Sequence, residues 1–190
     1  MKSGVHILNA SSLEDQDLLA VAGAVREIFG VPVRCGPGPL DLPGAFDASR
    51  GQHHSTALLR QILECSEPGE KTIAVVDVDL FIPVLTFVFG EAQFDGAAAV
   101  VSAARLANEF YGMPPDADAL RHRLEKEIVH ELGHTFGLYH CHQFECVMRS
   151  STYVEEIDLK RAAPCPECRA ILAQRNATDS TITSHIGASS

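Results

Sequence analysis

Residues 130 to 134 read His-Glu-Leu-Gly-His, an H-E-x-x-H pattern. On an α-helix, residues four apart differ by ~40° around the axis and ~6 Å along it, so two imidazoles project from one face and can grip one ion. Glu131 lies ~100° round from His130, beside the metal face, near enough to take a proton from a metal-bound water. It is the natural general base. His140 follows six residues after His134, and on an unbroken helix it would point ~240° round and ~9 Å onward, away from the ion. The helix must therefore end between them, and Gly137 stands where a left-handed C-cap is required. H-E-x-x-H-x-x-G-x-x-H is thus self-consistent as three imidazoles on zinc with the fourth position open, a catalytic arrangement. The five-residue pattern alone fits an ordinary helix surface equally well; Gly137 and His140 tilt the balance to zinc.

Cysteines make a second constellation. Cys165-Pro-Glu-Cys168 is a knuckle in which two thiolates can hold one metal, and Cys141 and Cys146, with four residues between them, supply another pair. Four thiolates suit structural zinc with no vacancy for substrate. A redox C-x-x-C and four buried free thiols compete with that reading, although the redox motif expects a strand-to-helix context that this polar stretch lacks. Cys35 and Cys65 stand alone and read as core residues. His142 is a possible competing ligand; His6, His53, His54, His122 and His185 are given no role.

These residues need elements to hold them. Residues 5–9 form an apolar strand, Ser12 offers an N-cap, and an apolar-periodic helix runs to Phe29 and stops at Gly30. Residues 31–35 read as a second strand, residues 36–44 as a Gly- and Pro-rich surface loop, and residues 55–65 as a helix. Residues 73–78 are apolar enough to be buried on both faces of a sheet. Residues 84–89 and 97–104 are further strand candidates, the latter running into a helical segment over 105–111. This β-α-β-α-β order predicts an α/β (α+β) fold with a mostly parallel sheet and backing helices. After Pro114-Pro115, Asp116 can cap a long helix in which Leu120, Leu124, Ile128 and Leu132 recur every four residues, reaching Gly137. That helix carries the histidines. A short helix is expected near Pro166, and residues 177–190, rich in Ser and Thr, as a flexible tail.

The chain has 190 residues, 46% apolar and 21% charged, enough for one domain with a buried core. Fifteen Lys and Arg against 25 Asp and Glu leave a net charge of -10, which argues against nucleic acid and membrane surfaces as partners. No signal core or membrane span is visible in the sequence, so a cytoplasmic protein with reduced thiols, most simply a monomer, is expected.

Residues 130–140 match the extended zinc signature of metzincin proteases. Cys141 directly after the third histidine, then Cys146, Met148 and the Cys165-x-x-Cys168 pair, resembles the archaemetzincin family specifically. The resemblance covers residues 130–168, about a fifth of the chain, with sixteen residues between Met148 and Cys165, one fewer than the family pattern. It implies His130, His134 and His140 on a catalytic zinc, Glu131 as general base, Met148 in a Met-turn beneath the metal, and Cys141, Cys146, Cys165 and Cys168 on a second zinc. It further implies a metzincin-like twisted sheet with an active-site helix and a small irregular zinc-bearing subdomain: residues 1–137 as the N-terminal subdomain and 138–176 as the C-terminal one, with a cleft between. The expected function is a zinc-dependent metallopeptidase acting on a peptide or protein substrate. Metzincins commonly seat an extended peptide antiparallel to an edge strand, for which residues 84–89 are the candidate. Two rivals remain at this point: a non-catalytic zinc-stabilised protein-binding module, and a zinc hydrolase of non-peptide amides or esters.

Overall fold

The computed structural model describes residues 4–186, with side chains to residue 177. The chain runs β1 (Gly4–Ala10), α1 (Asp15–Phe29), β2 (Val33–Pro37), β3 (Phe46–Asp47), β4 (Gln52–His54), α2 (Ser55–Glu64), β5 (Glu70–Val76), β6 (Leu80–Phe81), β7 (Gly90–Ala92), β8 (Ala98–Ser102), α3 (Ala117–Thr135), α4 (Val154–Asp158) and α5 (Pro166–Ile186). The main sheet has the order β2-β1-β5-β8-β7. Its first four strands are parallel, and β7 closes one edge antiparallel to β8.

Alternation along the central strands divides the apolar residues between two cores. Val5, Ile7, Ile73, Val75, Ala99 and Val101 face α1 and α3, where Leu18, Val25, Leu124, Ile128 and Leu132 cover them. Leu8, Ala74, Val76, Ala98 and Val100 face α2, against Leu58, Leu59 and Ile62. Burial on both faces, expected for residues 73–78, holds for 73–76, where helices pack on both sides; the strand ends at Val76 and Asp77 is exposed.

The ends of the helices show how local chemistry sets the boundaries. Gly30 adopts φ 67° and returns its N–H to the Arg26 carbonyl, ending α1 where glycine predicts. Its start differs from expectation: the helix begins only at Asp15, with Glu14 at the N-cap and no side-chain cap bond, while the Ser12 N–H donates to Asp77 Oδ2 at 2.9 Å. Asp116 caps α3 as predicted, Oδ1 accepting from the Ala119 N–H at 2.9 Å. Asp116→Ala should therefore lower stability by about 1 kcal/mol in a denaturant titration, without changing the metal content.

Several expectations need correction. Residues 84–89 are not a strand: Pro83 opens a turn, and the Leu85 and Thr86 carbonyls accept from the Arg50 guanidinium at 2.9 and 3.0 Å instead of from a neighbouring strand. The edge strand is Gly90–Ala92. The segment after β8 forms two 3-10 turns, Ala104–Leu106 and Asn108–Tyr111. A small sheet, β3-β4-β6, was not foreseen. Cys65 is exposed at the end of α2 and Cys35 is half-buried, so neither is a true core residue. The helix from Pro166 is 21 residues long; its backbone carries on through much of the expected tail, and residues 187–190 lie outside the described residues. Among the described residues no helix is long and apolar enough to cross a membrane.

Candidate active site

α3 brings His130 and His134 onto one face, with their Nε2 atoms 3.1 Å apart. Each ring is fixed from behind. His130 Nδ1 lies 2.7 Å from the Val147 carbonyl, and His134 Nδ1 lies 2.8 Å from the Leu138 carbonyl. A carbonyl can only accept, so each Nδ1 carries the proton and each Nε2 presents a lone pair. Burial keeps the rings neutral, pushing His130 well below the usual histidine range and His134 and His140 down as well.

The turn that delivers His140 is built by backbone bonds. The Gly137 N–H donates to His134 O and the Leu138 N–H to Gly133 O, both at 2.9 Å, a Schellman ending that requires Gly137 at φ 80°. The chain then swings back, and the ring nitrogens of His130, His134 and His140 all lie within 4.8 Å of one another. Two lone pairs facing each other at 3.1 Å repel unless a cation lies between them. Zinc with Zn–N of ~2.0–2.1 Å and tetrahedral angles would separate two ligand nitrogens by roughly 3.4 Å, so this donor set fits zinc.

Beneath α3, Met148 is fully buried, and its thioether lies so close to Gly133 that a Cβ there would collide with it. The Met148 carbonyl accepts from the Cys141 N–H at 2.9 Å, which ties this floor to the residue after His140. Cys141, Cys146, Cys165 and Cys168 form the second cluster, every Sγ within 4.8 Å of the others. Cys141 and Cys165 are 3.8 Å apart, Cys146 and Cys168 3.9 Å, far beyond a disulfide bond and close to the roughly 3.8 Å that two thiolates 2.3 Å from one zinc would show.

A cleft of about 440 Å³ opens over the histidines. One wall is the 85–89 loop and β7; the other is Ser150, Ser151 and Thr152; Glu127, His130, Glu131, His134 and His140 also line it. Glu131 rests against β7 at Gly90, where a Cβ would come within 2.7 Å of Oε1. Burial pushes the Glu131 carboxyl well above its usual range, Glu127 and Glu91 add to the shift, and Lys160 opposes it.

The motif histidines and cysteines thus fall in the two clusters, Met148 lies beneath α3, and Glu131 lines the cleft beside the imidazoles. His142 is exposed and belongs to neither, while His54 caps α2 through the Ala57 N–H and His6 bonds to Arg34. Sequence reasoning missed the buried Glu127–Lys160 pair, 3.5 Å apart. Glu127 could have been found, since it precedes Glu131 by one helical turn; nothing local marks Lys160.

The sequence model of Peptidase family M54 matches residues 57–174. An archaemetzincin of Methanocaldococcus jannaschii is 40% identical over 165 residues, covering 86% of this chain and 89% of its own. The crystal structure of the Methanopyrus kandleri archaemetzincin superposes with a TM-score of 0.79 at 32% identity, over 93% of this chain and 96% of that one. The crystal structure of a zinc-dependent peptidase from Methanocorpusculum labreanum gives 0.78 at 32% identity, over 89% and 100%.

Proposed function

Because this chain belongs to the archaemetzincins of peptidase family M54 and is a zinc metallopeptidase, we propose that His130, His134 and His140 hold its catalytic zinc and that Glu131 is the general base of peptide-bond hydrolysis in the cleft above them. The carrying observation is the pair of bare Nε2 atoms at 3.1 Å, each backed by a carbonyl on Nδ1. A zinc ion held by these imidazoles supplies Lewis acidity, acidifying a water and polarising the carbonyl it meets. Glu131 takes the proton from the attacking water and then gives it to the departing amine.

Phe89 and Gln93 spend their bonds on β8, through Ser102 N–H and Ala98 O, so the alternating register turns the Gly90 and Ala92 backbone groups toward the free edge. An extended peptide would pair there, between β7 and residues 150–152. Residues 1–137 and 138–176 would then form the two sides of the cleft. Cys141, Cys146, Cys165 and Cys168 would hold a second, structural zinc, and a set of reduced thiols suits the cytoplasm. All the groups come from one chain, so a monomer suffices.

Two zinc ions per chain are expected by elemental analysis. A chelator should strip the open three-imidazole site first and the closed thiolate site later. One metal or fewer after zinc-supplemented expression would remove the four-cysteine assignment. Hydrolysis itself is tested by mass spectrometry on unbiased peptide libraries, with Glu131→Ala as control. Cleavage by the wild type alone supports the assignment, and equal cleavage by the variant sinks it.

A further inference from the structure

The cleft runs along α3 past His130 to Glu127, a residue the hydrolytic mechanism does not use. Its side chain is only 4% exposed, yet it lines the cleft. Oε1 meets Lys160 Nζ at 3.5 Å, long for a charge-assisted bond, while Oε2 has no hydrogen-bond partner among the described residues. Lys160 lies behind it, 1% exposed, and does not line the cleft. Leu85, Phe87, Val88 and Phe89 provide an apolar wall.

Each class of side chain meets this arm of the cleft differently. An apolar side chain would seal off the free Glu127 oxygen without a bond, which is costly. An acidic one would meet the Glu127 carboxylate before it could reach Lys160. A long cation can lay its methylenes along the apolar wall and donate to the Glu127 carboxylate. We propose that Glu127 makes this arm a subsite for a lysine or arginine side chain flanking the scissile bond of the peptide substrate. The proposal rests on the cleft being the peptide-binding site. Glu127 is here a specificity-determining residue, held in place by Lys160.

The test uses the zinc-loaded protein and peptides that are identical except for Lys, Arg, norleucine or Glu at the positions flanking the cleaved bond. Cleavage by the wild type is measured alongside binding to the Glu131→Gln protein, which is read without turnover. Lys and Arg should exceed norleucine by ~10- to 100-fold at one flanking position, as a hydrogen bond to a buried charge supplies. Glu127→Gln combined with Lys160→Met should erase the preference without stranding a charge, and Glu127→Lys with Lys160→Glu should move it to Glu. Absence of discrimination by the wild type, or a preference that persists in the Glu127 variants, overturns the subsite. If nothing is cleaved but the Glu131→Gln protein still favours the basic peptide, the subsite stands and the hydrolytic assignment falls. Cleavage without discrimination has the reverse meaning.

Discussion

Glu131→Gln is expected to keep the full zinc content while hydrolysis falls by ~100-fold or more, the range that acid-base assistance supplies. Glutamine preserves the shape that lies against Gly90, so β7 and α3 need not move. It removes only the proton acceptor. The three ring nitrogens cluster without it, and their orientation comes from the Val147 and Leu138 carbonyls. His134→Ala should fail for another reason: it deletes one of the converging nitrogens, so the three-imidazole site empties while the thiolate metal stays. Atomic absorption on both variants, together with kcat on a peptide the wild type cleaves, separates the two. Loss of a metal in Glu131→Gln would make the residue a ligand, and full activity would end its role as base.

The largest effect on stability is expected at Cys168. Structural zinc in small domains is worth about 10–16 kcal/mol in apparent binding free energy at neutral pH, and that energy is folding energy. Cys168→Ser takes one thiolate from a cluster that fastens residues 141–146 to the start of α5. One zinc should be lost, and a cost of about 4 kcal/mol would already lower the thermal midpoint by ~10 °C in a chain of this size. The active site should suffer with it, because Cys141 adjoins His140 and bonds the Met148 carbonyl. Cys35→Ser and Cys65→Ser, both remote from the cluster, should keep both metals. A metal lost on removing Cys35 would overturn this division of the six thiols.

What could be read from the sequence was local. Gly137 could be assigned its break because the requirement lies within six residues of His134, and the backbone bonds there are those a Schellman ending needs. Asp116 and Gly30 were legible for the same reason. The unbroken apolar run over residues 73–76 of β5 disclosed a strand with two buried faces. The failures involve partners far away in the chain. Residues 84–89 have an apolar strand-like composition, and the side chains of Arg50 and Gln52, some 35 residues earlier, divert their carbonyls. β3 and β6 have two residues each, too few for a period to show. Lys160 looks like any surface lysine until Glu127, 33 residues before it, is packed against it. Cys65 was judged by residue type, whereas its place at the end of α2 decides its exposure.

The two-sided sheet also sorts inheritance. Ala98 and Ala99 are neighbours in β8, both fully buried, but one faces α2 and the other faces α3. A methyl group gained at Ala99 presses on the helix that carries His130, Glu131 and His134, whereas one gained at Ala98 presses on a helix that carries none of them. Lineages can therefore drift on one side of the sheet at a cost in stability alone, while the other side is held to the tolerances of catalysis.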